Sequence, residues 1–138
     1  MYKGLLYLIK ALHAILILFL VIIPFTKANW LLLIHAIVIP FIVIHWIFNN
    51  NTCALTVMEH YVTEKLTGKK VDKNSGFMAH LINPVYDFAG KNKDINIYIY
   101  LIVAILFVIS AGKLIFKRVT GQIKSFRDIL IIDNDKFF

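Results

Sequence analysis

The chain has 138 residues, 59% of them hydrophobic, with 15 Lys and Arg against 8 Asp and Glu for a net charge of +7. So apolar a composition, concentrated in three long runs, excludes an ordinary soluble domain and leaves no length for a separate soluble catalytic domain. The surplus of positive charge lies beside the apolar runs, where it meets anionic lipid head groups, and no basic stripe with interleaved aromatics points to nucleic acid.

The first run, Leu5 to Phe25, is long enough to cross a bilayer as a helix, since about 20 residues at 1.5 Å rise match a hydrocarbon core of about 30 Å. Lys3 and Lys10 precede Ala11 to Phe25 as in a secretory signal, but the length of the run and the lack of a small-x-small cleavage site after Pro24 predict a retained span. Lys10 sits inside the apolar region, within snorkelling reach of the near interface. Thr26 to Asn29 form a polar turn too short to join anything but antiparallel neighbours.

The second run, Trp30 to Phe48, carries an indole near each end, as interfacial anchoring favours, and Pro40 in its middle predicts a kink near Ile37. Asn49 to Thr52 end it. Thr56 to Glu59 read as a capping box opening a short helix over 56–67, with Val57, Met58, Tyr61, Val62 and Leu66 on one apolar side that would lie on the membrane surface. Gly68 to Gly76 read as a lysine-rich loop. Phe77 to Phe88 is too short to span and reads as an interfacial or re-entrant piece, with Asn83-Pro84 as an N-cap and first helical residue.

The third run, Ile95 to Phe116, is capped by Asp94 and anchored by Tyr98, Tyr100 and Lys113. Beyond it Phe116, Val119, Ile123, Phe126 and Leu130 recur at steps of three and four, which predicts a basic amphipathic helix over 117–132, bound to an anionic surface or a protein partner. Residues 133–138 read as a frayed tail. The expected fold is therefore all-α: a single integral membrane domain, a helical bundle of three transmembrane helices with short interfacial or re-entrant helices. Three spans place the termini on opposite sides, and Lys27, Lys113, Lys117 and Arg118 near the span ends favour a cytoplasmic C terminus.

Ionisable groups inside spans are costly and mark candidate sites. His13 and His45 approach similar depths, on the side that also receives Cys53, Glu59, His60 and His80. Imidazole, thiolate and carboxylate are the usual ligands of zinc and other transition metals, so these six residues are the candidate metal set, and a haem between His13 and His45 is a further alternative. The competing reading gives each intramembrane histidine, His35 included, a neutral ring hydrogen-bonded to a neighbouring helix, and needs no cofactor. The single cysteine forms no intramolecular disulfide, and no oxyanion site or third orienting group accompanies it.

Cys53-Ala54-Leu55-Thr56 with Glu59, then Gly76-Phe77 with His80 and Pro84, together with His13, resemble a bacterial family of small uncharacterised integral membrane proteins carrying C-P-L-T-x-x-E and G-F-x-x-H motifs. The likeness covers roughly residues 5 to 115; Ala54 departs from it, and the lysine-rich loop and the tail have no counterpart. The resemblance implies a shared fold and a common locus for Cys53, Thr56, Glu59 and His80, and supplies no reaction. The function expected is non-enzymatic: assembly with itself or with partner proteins in a membrane, as in a virion or organelle membrane component; a bias toward Lys, Ile, Asn and Phe, resembling AT-rich coding, admits a large DNA virus as source. A metal- or haem-binding membrane protein with redox or hydrolytic activity is the alternative. A channel is disfavoured, because Asn96 and Ser110 are the only uncharged polar side chains besides tyrosine in the third span.

Overall fold

The computed structural model describes residues 1–72, 76, 77, 80, 81, 84 and 95–130. The fold is all-α: α1 (Tyr2–Ile22) continues into a 3-10 turn (Ile23–Phe25), and α2 (Asn29–Phe48), α3 (Ala54–Thr67), α4 (Ile95–Val119) and the short α5 (Phe126–Leu130) follow. Three stretches, Tyr2–Phe25, Asn29–Phe48 and Asn96–Val119, are helices long and apolar enough to cross a membrane. The predicted segment 77–88 falls largely outside the described residues, as do the Asp94 cap and the tail from 131 onward.

The chain divides into two compact units, Met1–Leu16 with His45–Tyr98, and Ile17–Ile44 with Ile99–Phe138. In the second, each helix presents a narrow inward stripe: Leu32, His35 and Ile39 of α2, Val103 and Ser110 of α4, and Leu20 of α1 are buried. The i, i+3, i+7 spacing in α2 puts its three on one face. His35 is wholly buried at the centre of this stripe.

What holds His35 there follows from Pro24. An α-helical carbonyl at residue 20 accepts from the N–H of residue 24, and proline has none. His35 Nε2 lies 3.0 Å from the Leu20 carbonyl and Nδ1 lies 2.8 Å from Ser110 Oγ. Since a carbonyl only accepts, Nε2–H donates to Leu20 and the Ser110 hydroxyl donates to Nδ1. One neutral ring thus ties α1, α2 and α4 together, with Phe19 against its face at 5.6 Å between centroids.

The α1–α2 turn is fastened by two lysines one helical turn apart on α4. Lys113 Nζ donates to the Pro24 carbonyl at 2.7 Å, and Lys117 Nζ to the Lys27 carbonyl at 2.9 Å and to Asn29 Oδ1 at 2.6 Å. Thr26, buried in the turn, donates its hydroxyl to the Ile23 carbonyl. These groups close carbonyls that a helix end would otherwise leave open.

The reading of 117–132 as one amphipathic helix is corrected here. α4 stops at Val119, with Gly121 at φ +74°, and the Gly121 and Gln122 N–H groups donate back to the Arg118 and Lys117 carbonyls. That is a Schellman closure, and it turns the chain so that Ile123 becomes buried. α5 is a separate five-residue helix whose Asp128 carboxylate accepts the Lys124 and Ser125 N–H groups, both at 2.8 Å.

Candidate functional site

The first unit gathers polar side chains around one carboxylate. α3 begins at Ala54, so Glu59 lies in its second turn and cannot reach back to cap it; the predicted capping box does not form. The first helical N–H is met instead by His45, whose Nε2 accepts from Ala54 at 3.2 Å. The preceding turn needs left-handed backbone at Asn50 (φ 50°) and Asn51 (φ 59°), which asparagine tolerates better than most residues.

Freed from capping, Glu59 points inward and is 2% exposed. A buried carboxylate demands partners. Its Oε1 accepts the Phe77 N–H at 3.0 Å and lies 3.8 Å from Lys10 Nζ. Its Oε2 faces His13 Nδ1 at 3.9 Å, beyond hydrogen-bond distance, and neither of these two atoms has a hydrogen-bond partner among the described residues. On the far side of the imidazole, Nε2 lies 3.5 Å from Thr56 Oγ1. His13, 1% exposed, therefore sits between the Thr56 hydroxyl and the Glu59 carboxylate.

Gly76 explains how the loop backbone comes so close. Its φ is +114°, and a Cβ there would stand 3.2 Å from His60 Nε2 and 3.5 Å from Glu59 Oε1. Only glycine offers both the dihedral and the space, and it delivers the next N–H to the carboxylate. The Phe77 ring then packs on His13, 6.1 Å between centroids and tilted by 32°.

The family model described as Protein of Unknown function (DUF2784) matches residues 5–112, a stretch that contains the whole of this cluster. The chain belongs to that family. No curated protein and no solved structure matches it. The DUF2784 match takes in Lys10, His13, Thr56, Glu59, Gly76 and Phe77.

Of the six predicted site residues, the DUF2784 structure places His13 and Glu59 together, with His60 alongside through Gly76. His45 serves the start of α3; Cys53 is the half-buried residue before that helix, with no side-chain capping bond; His80 is exposed, its N–H donating to the Gly76 carbonyl. Among the described residues, no three His, Cys, Asp or Glu side chains converge to hold a metal ion.

Lys10, read as a snorkelling side chain, is the cation beside Glu59; its place one helical turn from His13 is the signal for it. Thr56, read from the residues as an N-cap and placed by the resemblance in one locus with Glu59, presents its hydroxyl to His13 because Thr56 and Glu59 share a face of α3 three residues apart.

Proposed function

We propose that this protein is a non-enzymatic multi-pass membrane protein that acts by assembling with itself or with partner proteins, its C terminus in the cytoplasm. One observation carries the reading: in each spanning stretch only 17% of an 18-residue apolar window is buried within the chain, which leaves the greater part of that window with surface for lipid or another protein. Four polar groups of the described spans, His35, Ser110, Lys113 and Lys117, bond to neighbouring segments of the chain and hold the fold. α3 adds an outward apolar face. Val57, Met58 and Tyr61 are exposed, while the Glu59 side of that helix is the one that packs inward.

The two stretches behind the sequence resemblance meet at Glu59, which supports reading them as a structural signature. There the cluster anchors α3 and the Gly76-Phe77 backbone to α1, and a steady α3 offers its outer face for assembly. A virion or organelle membrane component, or an accessory subunit of a larger complex, suits such a role. Lys27, Lys113, Lys117 and Arg118 support the orientation, because they collect where the α1–α2 turn meets the end of α4.

Crosslinking in native membranes, paired with sizing in mild detergent, tests the proposal. Discrete species at multiples of the chain's mass, or with defined partners, are expected. A strict monomer in both settings would remove the reading; stoichiometric metal in the purified protein would replace it with the metal alternative around His13 and Glu59, and a Soret band with the haem alternative between His13 and His45.

A further inference from the structure

The lysines that fasten the α1–α2 turn also border a cleft of about 390 Å³, a volume within the range of small-ligand sites. Its polar wall is Lys27, Lys113, Lys117, Thr26 and Gln122, with no acidic residue among them. Gly112 and Phe116 supply the apolar border.

Charge is the first argument. Among the described residues no carboxylate pairs with the Lys113 or Lys117 ammonium group. Their hydrogen bonds run to carbonyl and amide oxygens, which satisfy N–H groups without cancelling charge. An ammonium has three N–H bonds, and each of these directs two at the turn, which leaves one apiece for a ligand. Two cations one helical turn apart, with exposed Lys27 nearby, make a concave site complementary to an anion.

Depth is the second argument. Lys113 and Lys117 occupy the last two turns of a spanning helix that ends at Val119, about 9 Å and 3 Å below its end. Lipid phosphates occupy this level, where hydrocarbon gives way to head groups. The third argument is space. A Cβ at Gly112 would meet nothing within 4 Å, so the missing side chain leaves room on this wall of the cleft.

We infer that this cleft binds the phosphate of an anionic phospholipid, with Lys113 and Lys117 holding the phosphate and Gly112 and Phe116 bordering the glycerol and the first acyl carbons. The site depends on the chain lying in a membrane and is independent of whether it assembles.

Native mass spectrometry of the full chain in detergent, incubated with phosphatidylglycerol or with phosphatidylcholine at equal concentration, tests this. Stoichiometric retention of phosphatidylglycerol, with phosphatidylcholine at least about tenfold weaker, is expected. A lysine beside an anionic lipid surface contributes about fivefold in affinity, so Lys113→Gln with Lys117→Gln should weaken retention about twenty-five-fold. That double variant also loosens the turn, so Gly112→Leu, which fills the cleft and leaves both lysines in place, is the second arm and should lower retention without lowering thermal stability. Equal retention of the two lipids, or unchanged retention in both variants, would overturn the inference. Displacement of phosphatidylglycerol by millimolar inorganic phosphate would overturn the lipid as source, assigning the site to a soluble phosphate.

Discussion

Replacing His35 by Phe keeps ring volume and removes both polar contacts, and the structure says which of the two losses matters more. Ser110 can turn its hydroxyl back to the carbonyl four residues earlier, a common refuge for helical serine. The Leu20 carbonyl has no such refuge, because residue 24 is proline and offers no N–H. Interhelical hydrogen bonds in membrane proteins contribute about 0.6 kcal/mol on average and up to about 1.7 kcal/mol, so losing two predicts about 1 to 3 kcal/mol of destabilisation. Pro24→Ala restores a donor to that carbonyl. In a double-mutant cycle it should therefore recover about 1 kcal/mol in the His35→Phe background and little or nothing in the wild type. Reversible unfolding in mixed micelles, followed by tryptophan fluorescence, measures all four corners. Equal effects of Pro24→Ala in both backgrounds would refute the link between the missing N–H and the buried imidazole.

At the Glu59 cluster, Glu59→Gln keeps an acceptor for the Phe77 N–H but surrenders the charge facing Lys10, and should cost about 1 kcal/mol; Glu59→Leu strands that N–H and should cost about 3 kcal/mol, both read from thermal unfolding in detergent. Gly76→Ala meets both an unfavourable φ and the His60 ring, with a predicted loss of about 2 to 3 kcal/mol, of which His60→Ala should relieve the contact but not the backbone strain. For α5, the Lys124 and Ser125 N–H groups hold the Asp128 carboxyl below the ordinary carboxylate range. The folded-state value is thus lower than the unfolded one, so its contribution is complete above the ordinary carboxylate range and disappears as pH falls through the depressed value. Amide-exchange protection at residues 126–130, relative to the unstructured rate at each pH, should hold on acidification into that range and fall only below it, and Asp128→Asn should abolish that fall.

The spans were legible in the sequence because length and hydropathy are properties of single segments. So were the polar turn at Thr26 to Asn29 and the neutral, helix-bridging role for intramembrane histidine that His35 fulfils. Other features depend on two distant segments at once. Glu59 looks like a capping residue until His45, fourteen positions earlier, takes over the helix start and lets the carboxylate turn toward Lys10 and His13. The three-and-four periodicity after Phe116 looked like one continuous helix, yet Gly121 interrupts it, and a repeat of apolar residues does not register a single left-handed backbone position. On α3 the five apolar residues do not share one side: Val62 is buried with Glu59 while Val57, Met58 and Tyr61 are exposed, because the side that packs inward is set by the buried carboxylate rather than by hydropathy.

The lysine clasp on the first turn also has a consequence for biogenesis. Lys113 lies 89 residues downstream of the carbonyl it closes, so the ribosome releases the first two helices long before the groups that finish their hairpin have been synthesised. Before α4 is made those turn carbonyls lack their lysine donors, and water is the partner left to meet them. The α1–α2 turn is thus completed only when α4, the last of the three long helices, is in place.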